Sequence, residues 1–409
     1  MSAYLDSAKT VFLFPGVGAQ QADMFAAFRS FPAYRACLDE VSDLSGVGLE
    51  DIIHGEGRQA LGQVRVAQLA LTATTVAIAR ILREECGLLP DFVMGHSLGQ
   101  YPALCAGGYL DLATVTRVVN LRSEAVEACA GRYEQGDMCW VLHLPAETVI
   151  EQVAAARQDG ITIFVSAVDA FDQATISGEM AEIRRFASRI EALGGLVYPL
   201  RIGGPFHSPL MAPARAQLDA ALDFLPSPDA GRLHSRLVCN VGAGELAVDG
   251  LRSAILDHLV EPVQWLHSMQ YLAGQGVTRY LEISPKSVLA YLVQRAELPL
   301  QPLYGPQELA GAVERLASAQ SRGERFHQRC WQHLYGEPLP VLEPAASRQL
   351  REIRSEVHKQ LPAAPANAAE RDFLYQRSLR WLELAEAGTG ASREADRLRL
   401  HGLYQAAGR

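Results

Sequence analysis

Residues 91–107 read Asp-Phe-Val-Met-Gly-His-Ser-Leu-Gly-Gln-Tyr-Pro-Ala-Leu-Cys-Ala-Gly, and this stretch decides the fold. Ser97 stands two residues after Gly95 and two before Gly99, between a short apolar run and a segment rich in small residues. This order predicts a buried strand, a sharp turn and a helix that begins beneath the serine. In such a G-x-S-x-G turn the Ser97 hydroxyl projects as a nucleophile, and the Leu98 N–H can donate to an oxyanion.

Strands and helices alternate on both sides of this turn. Thr10–Phe14 and Tyr280–Ile283 are short apolar runs typical of buried strands. Gln68–Arg83 and Asp111–Glu127 have the length and the apolar pattern of helices, and the first is apolar on most sides. The alternation predicts a parallel α/β core, resembling that of the α/β-hydrolases, with Ser97 at its edge.

The order of elements changes between residues 136 and 202. There the pattern predicts strand, helix, strand, strand, helix and strand, which is the ferredoxin-like arrangement. We therefore expect a catalytic core in residues 1–135 and 203–325, an inserted ferredoxin-like subdomain in residues 136–202, and a C-terminal helical extension in residues 326–409. Residues 361–369 have the composition of a linker inside that extension.

Composition narrows the function classes. The chain has 409 residues and a formal net charge of −9, which argues against a strongly basic nucleic-acid binder. Its seven cysteines form no C-x-x-C pair, so neither a disulfide framework nor a zinc ribbon is indicated. The sequence shows no metal-ligand cluster, no dinucleotide fingerprint, no signal peptide and no apolar run of membrane-spanning length. We expect a cytoplasmic protein with no metal, no bound cofactor, and neither nucleic acid nor membrane as a partner.

A serine nucleophile needs a base, and the chain has 11 histidines to choose from. His207 lies in the Gly/Pro-rich loop Gly203–Met211, directly after a predicted strand. Loops after core strands are where α/β proteins place functional groups, so His207 is the preferred candidate. His96 is the rival, although the residue before the serine usually points away from it.

Several stretches along the chain form a recognisable set, in a fixed order. They are Phe14-Pro-Gly-Val-Gly-Ala-Gln20, Gly95-His-Ser-Leu-Gly99, Phe206-His-Ser-Pro-Leu-Met211 and Leu281-Glu-Ile-Ser-Pro285, with shorter matches at Cys239-Asn-Val241 and Glu261-Pro-Val-Gln-Trp265. With these motifs the sequence resembles the malonyl-CoA:acyl carrier protein transacylases of fatty acid and polyketide synthesis. The likeness covers roughly residues 9–325, and the stand-alone acyltransferases of polyketide pathways are closest in size.

The resemblance implies roles for residues near the turn. Ser97 would form the acyl-enzyme and His207 would be its base, without a catalytic carboxylate. A backbone carbonyl near Gln264 would orient the imidazole. The N–H groups of Leu98 and Val17 would form the oxyanion hole; the family usually has Gln at position 17, but a backbone donor survives that replacement.

The resemblance also implies an acyl pocket. Arg122, 25 residues after Ser97, stands where the family keeps the arginine that grips the free carboxylate of malonyl, and a guanidinium suits a carboxylate because it binds both oxygens at once. Gln68 and Phe206 match positions that line this pocket, and Phe206 follows the malonyl-type pattern. Residues that depart from the family pattern are Gln100, Ser123, Val126, Glu127, Trp140 and Asp169.

Together these features predict a ping-pong acyltransferase. It would take an acyl group, malonyl before others, from acyl-CoA and pass it to the phosphopantetheine thiol of an acyl carrier protein in polyketide or fatty acid biosynthesis. Acyl-CoA is then a substrate, and the phosphopantetheine arrives on the partner. The pocket departures keep two alternatives open: an editing acyl-carrier-protein hydrolase, and a carrier-to-carrier transferase of an unusual acyl group. A non-catalytic carrier-protein binding module is the alternative from another class.

Overall fold

The structure is a computed structural model that describes residues 9–130, 136–303, 308–313 and 368–389, with single positions at 330, 349, 352–353, 356–357, 397 and 400–401. Its strands are β1 (Lys9–Phe14), β2 (Phe92–Gly95), β3 (Gly136–Leu142), β4 (Ile163–Ala170), β5 (Gln173–Glu179), β6 (Leu196–Pro199), β7 (Arg236–Val238), β8 (Val277–Glu282) and β9 (Gln301–Pro302). Its α-helices are α1 (Pro32–Ser45), α2 (Leu49–His54), α3 (Val64–Glu84), α4 (Gln100–Gly107), α5 (Leu112–Ala130), α6 (Ala146–Gln158), α7 (Met180–Ala192), α8 (Ala212–Ala221), α9 (Leu251–Asp257), α10 (Trp265–Gly274), α11 (Leu289–Arg295) and α12 (Ala368–Thr389).

The main sheet has five parallel strands in the order β7-β2-β1-β8-β9. Along β1, Phe12 and Phe14 pack against the helices of one face, while Val11 and Leu13 pack against those of the other. Both faces are therefore buried, which is why the strands are almost continuously apolar. The predicted parallel α/β core is confirmed, and the loops that leave β1, β2, β7 and β8 meet at one edge of the sheet.

Helix α3 belongs to this core. It is long and apolar enough to cross a membrane, but 83% of its apolar window is buried inside the protein. A helix that is apolar on most sides needs such a surrounding, because it has no polar face to turn to water. The sequence-based expectation of a buried helix over Gln68–Arg83 is confirmed within Val64–Glu84.

The second sheet has four antiparallel strands in the order β4-β5-β3-β6. With α6 after β3 and α7 after β5, it has the ferredoxin-like order predicted for residues 136–202. Because side chains alternate along β3, Cys139 and Val141 pack with α6 and α7, whereas Met138, Trp140 and Leu142 line a cleft on the opposite face.

The two sheets are joined by backbone as well as by side chains. The Val168 N–H donates to the Val263 carbonyl at 2.9 Å, and the Val263 N–H donates to the Ser166 carbonyl at 2.9 Å. One apolar cluster also runs from Leu13 of the main sheet to Ile176 of the second sheet. These contacts fix β4 beside the edge of the main sheet at which the turn containing Ser97 lies.

The predicted bounds of the three parts stay predictions. Of residues 326–409, the structure describes α12 and scattered single positions, and the linker predicted at residues 361–369 lies outside the described residues except for its last two positions, which begin α12. Within α12, Leu374, Trp381 and Leu382 are fully buried, so this helix presents an apolar face to other parts of the chain.

Candidate active site

The turn after β2 has the conformation that a nucleophile elbow needs. Ser97 has a φ of 49°, in the left-handed region that side chains rarely adopt, and a 3₁₀ turn over Ser97–Gly99 leads into α4. A Cβ on Gly95 would lie 1.9 Å from the carbonyl carbon of Gly99. A Cβ on Gly99 would lie 2.0 Å from the Phe14 carbonyl oxygen, so both positions must be glycine for the turn to close.

Ser97 and His207 form a hydrogen-bonded pair. The Ser97 Oγ lies 2.7 Å from His207 Nε2, and His207 Nδ1 lies 2.8 Å from the carbonyl oxygen of His258. A carbonyl only accepts, so Nδ1 carries the proton and Nε2 is free to accept from the serine hydroxyl. His207 is 3% exposed and has a φ of 55°, so both members of the pair are held in an uncommon backbone conformation.

The prediction that Gln264 orients His207 is wrong, because the carbonyl involved is that of His258. Gln264 is the N-cap residue directly before α10, and its carbonyl accepts the first helical hydrogen bond, from the Ser268 N–H at 2.9 Å. Its oxygen therefore points along the helix rather than to the imidazole.

Asn240 holds the elbow in place, a role that sequence reasoning missed. Its side-chain oxygen accepts from the Ser97 N–H at 2.8 Å, and its side-chain nitrogen donates to the Gly95 carbonyl. Its own N–H donates to Gln100 Oε1 at 2.9 Å, which gives Gln100 a structural role. The Cys239-Asn-Val241 motif was the available signal, but the motif itself indicates no chemistry.

The expected oxyanion donors lie at the cleft beside Ser97. Leu98 follows the serine, and Val17 lies in the loop after β1. This loop packs directly on the elbow, since a Cβ on Gly16 would lie 3.0 Å from the His96 carbonyl and 3.6 Å from Ser97 Cβ. The Ser97 N–H is already used by Asn240, so Leu98 and Val17 stay the predicted donors.

Arg122 is buried on the same cleft, and no carboxylate of the described residues pairs with it. It is 4% exposed, and its Nη1 donates to Gln68 Oε1 at 2.7 Å. Its Nε has no hydrogen-bond partner, and no carboxylate among the described residues lies within 4.0 Å of the guanidinium. A buried cation without a counter-ion is costly, so this site suits an anionic ligand.

The cleft has a volume of about 760 Å³ and brings most of the predicted site residues together. Those that line it are Val17, Gln68, Ser97, Leu98, Arg122, Phe206 and His207. Gln264 is absent from this lining. On the second sheet, the rings of Trp140 and Tyr198 stack with centroids 6.2 Å apart, so this wall is aromatic.

His96 and Asp169 join the elbow to the second sheet. His96 lines the cleft, and its Nε2 lies 2.9 Å from Asp169 Oδ1 rather than bonding Ser97. Thr175 Oγ1 donates to the other carboxylate oxygen at 2.5 Å, and Asp169 is 1% exposed. Glu127, another departure from the family pattern, is exposed on α5 and does not line the cleft.

The electrostatics keep His207 neutral. Burial, first of all, and then the Arg122 charge and a smaller effect of His96 lower the pKa of His207 to about 3, against the opposing effect of the bond to the His258 carbonyl. Burial also lowers the pKa of the adjacent His258 well below its ordinary value. At neutral pH the His207 Nε2 therefore carries a lone pair that can take a proton from Ser97.

Comparison with known proteins supplies independent information. The acyl transferase domain family matches residues 11–321. The malonyl CoA-acyl carrier protein transacylase of Bacillus subtilis (strain 168) is 30% identical over 314 residues, 75% of this chain and 97% of its own. The MCAT crystal structure from Streptococcus pneumoniae is 30% identical, with a TM-score of 0.69 over 75% of this chain and 100% of that one. A type II PKS malonyl-transacylase in complex with its acyl-carrier protein (PlMCAT:AntF) is 29% identical, with a TM-score of 0.69 over the same shares.

Proposed function

The chain belongs to the acyl transferase domain family, among the malonyl-CoA:acyl carrier protein transacylases, and we propose that it moves a malonyl group from CoA to the phosphopantetheine thiol of an acyl carrier protein. One observation carries the proposal. Arg122 is buried without a carboxylate partner among the described residues, on the cleft that holds the Ser97–His207 pair. The free carboxylate of malonyl is the anion that this arrangement lacks, and its thioester is what a serine nucleophile attacks.

In the first half-reaction Ser97 is acylated. The Ser97 Oγ attacks the thioester carbon while its proton passes to His207 Nε2. The oxyanion is stabilised by the N–H groups of Leu98 and Val17. The C–S bond then breaks, and the CoA sulfur takes the proton from His207 and leaves as the thiol.

In the second half-reaction the acyl group moves to the carrier. The phosphopantetheine thiol gives its proton to His207, and its sulfur attacks the acyl carbon of acyl-Ser97. The C–O bond breaks, and Ser97 Oγ recovers the proton. The thioester and the accepting thiol arrive with the acyl-CoA and the carrier protein. The chain itself supplies the nucleophile Ser97, the base His207, and Arg122, which binds the carboxylate of the acyl group.

Intact-protein mass spectrometry tests the proposal. After incubation with malonyl-CoA, the wild-type protein should gain the mass of one malonyl group, and Ser97→Ala should gain none. Ser123→Ala is the matched control, because Ser123 is buried on α5 and its hydroxyl donates to the Val119 carbonyl at 2.8 Å, away from the cleft. Adding holo-acyl carrier protein should move the mass from Ser97 to the carrier. An unmodified wild-type protein would overturn the proposal.

One observation favours a second candidate, a hydrolase or carrier-to-carrier transferase for a larger acyl group. The cleft of about 760 Å³ has an aromatic wall at Trp140 and Tyr198, which offers a longer chain an apolar surface. Release of free acid from an acyl-loaded carrier protein would support hydrolysis, and appearance of the acyl group on a second carrier would support carrier-to-carrier transfer. A protein that forms no adduct with any acyl donor, yet binds the carrier, would be a binding module.

A further inference from the structure

A buried line of side chains connects Arg122 to the Ser97–His207 pair. The Arg122 guanidinium lies 5.5 Å from the centre of the Tyr101 ring. The Tyr101 and His258 rings are 5.5 Å apart, with the hydroxyl 3.4 Å from His258 Nδ1, and the His258 and His207 rings are 4.9 Å apart. Each of the four side chains is at most 4% exposed, so little water separates the guanidinium charge from the base.

The charge at the start of this line is not balanced within the described residues. Asp169, the acidic residue on the cleft lining, is already engaged by His96 and Thr175. Asp257, next to His258 in sequence, pairs with Arg215 at 2.8 Å in a half-exposed position. The Arg122 guanidinium therefore lies in a low-dielectric site, where its Nη1 meets an amide rather than a carboxylate.

That charge acts on His207. The titratable or charged groups that act on the His207 imidazole are Arg122 from α5, His96 beside Ser97 and His258 after α9, and Tyr101 from α4 packs against His258. A nearby cation disfavours the imidazolium form, because like charges repel most strongly away from water. Burial is the larger cause of the lowered His207 pKa, and the unpaired Arg122 charge adds to it, so without an anion His207 is a weaker base than burial alone would make it.

We propose that the carboxylate of the acyl substrate is the counter-ion that makes His207 a competent base, so that recognition at Arg122 activates Ser97. The inference rests on the proposed function. When the carboxylate pairs with Arg122, the net charge beside His207 falls, and Nε2 accepts the Ser97 proton more readily. The C–O bond then forms and the C–S bond breaks, with the proton passing to the CoA sulfur as before.

Selection against uncharged acyl groups thus acts on the chemical step as well as on binding. An acetyl group cannot pair with Arg122, so it reaches Ser97 while His207 is still a weak base. For acetyl-CoA, kcat should be reduced along with kcat/KM, because the missing interaction is needed in the transition state. If Arg122 contributed to binding alone, acetyl-CoA would have a higher KM than malonyl-CoA and the same kcat.

Three variants separate charge from shape. Gln68→Glu places a carboxylate where the amide oxygen now accepts from Arg122 at 2.7 Å, so it supplies a built-in counter-ion. Arg122→Gln removes the charge. Arg122→Lys keeps the charge and serves as the matched control. Gln68→Glu and Arg122→Gln should raise the His207 titration midpoint in the ligand-free protein, and Arg122→Lys should leave that midpoint low.

The test is a pH titration of His207 by NMR on histidine-labelled full-length protein. A Ser97→Ala background prevents acylation, and loss of the signal in His207→Gln assigns it. Malonyl-CoA should raise the midpoint, by on the order of one pH unit, because pairing with the carboxylate removes the lowering effect of the Arg122 charge. Acetyl-CoA should leave the His207 midpoint unchanged.

A second assay measures acylation in protein that keeps Ser97. There Gln68→Glu should increase Ser97 acylation by acetyl-CoA relative to wild type and decrease acylation by malonyl-CoA.

A His207 midpoint that is the same in wild type, Gln68→Glu and Arg122→Gln, and that does not respond to malonyl-CoA, would overturn the inference. Failure of the proposed function is a different result, since wild-type protein would then form no malonyl adduct on Ser97. A normal malonyl adduct together with an unresponsive His207 would leave the proposed function standing and remove the coupling.

Discussion

Asn240→Ala is the substitution that most directly tests how the elbow is held. It would leave the partly buried Ser97 N–H and the buried Gly95 carbonyl without the side-chain partner they now share. The buried carbonyl costs about 1–3 kcal/mol when unsatisfied and the partly buried N–H costs less, so the free energy of unfolding should fall by about 2–4 kcal/mol. Ser97 would also be freer to leave its φ of 49°, a conformation that costs about 1–3 kcal/mol to maintain.

The effect on activity should exceed the effect on binding. A shift of the hydroxyl by about 1 Å can cost ~100-fold in rate, so acylation of Ser97 should slow by that order while malonyl-CoA still binds. Urea denaturation gives the stability, and the rate of malonyl adduct formation by mass spectrometry gives the activity. Asn120→Ala is the control, because Asn120 is half-buried on α5 and its side chain hydrogen-bonds Arg65 and Glu124.

A second variant guards against a protein that does not fold. Asn240→Asp keeps an oxygen acceptor for the Ser97 N–H but loses the donor to the Gly95 carbonyl, so it should acylate faster than Asn240→Ala and slower than wild type. The reasoning fails if Asn240→Ala keeps its stability within about 1 kcal/mol of wild type, the range of an ordinary surface substitution, and acylates at the wild-type rate.

Three further outcomes follow from the structure. Gly99→Ala should sharply lower the thermal midpoint, since its Cβ would lie 2.0 Å from the Phe14 carbonyl oxygen; an unchanged midpoint by calorimetry would contradict this. Burial lowers the pKa of His207 and His258 below 6.5, so the unfolded chain gains protons first as pH falls from about 6.5. Stability should therefore drop with pH, by up to about 1.4 kcal/mol per pH unit for each histidine, and His258→Gln should show a shallower drop in denaturation at several pH values. Trp140→Ala should widen the cleft and raise the rate with longer acyl-CoAs relative to malonyl-CoA in a competition assay; an unchanged ratio would mean that this wall does not meet the acyl chain.

Local rules explain which parts of the fold and site could be predicted. The elbow around Ser97 could be predicted because strand, glycine, serine and glycine in that order allow few backbone paths. The ferredoxin-like order of residues 136–202 could be predicted from alternating strand and helix patterns alone. The Gly/Pro loop made His207 a candidate beside His96, and the resemblance carried by Phe206-His-Ser-Pro-Leu-Met211 assigned it the role of the base.

Contacts between distant segments could not be predicted in the same way. Which carbonyl meets Nδ1 of His207 depends on how the chain bends after α9, and His258 and Gln264 are only six residues apart. The bond between His96 and Asp169 spans 73 residues and exists only because β4 lies against the elbow. Asn240 stands in the Cys239-Asn-Val241 motif, but the motif does not indicate that its side chain bonds the backbone of a turn more than 140 residues earlier.

The backbone bonds between β4 and Val263 bear on how this protein can be re-engineered. Because β4 also shares a continuous apolar cluster with the main sheet, the inserted part should melt together with the core in a single cooperative transition. A chimera that exchanges residues 136–202 alone would break those bonds and mismatch that cluster. The transferable module is therefore the inserted part together with the segment around Val263, although the two are separated by some sixty residues of core sequence.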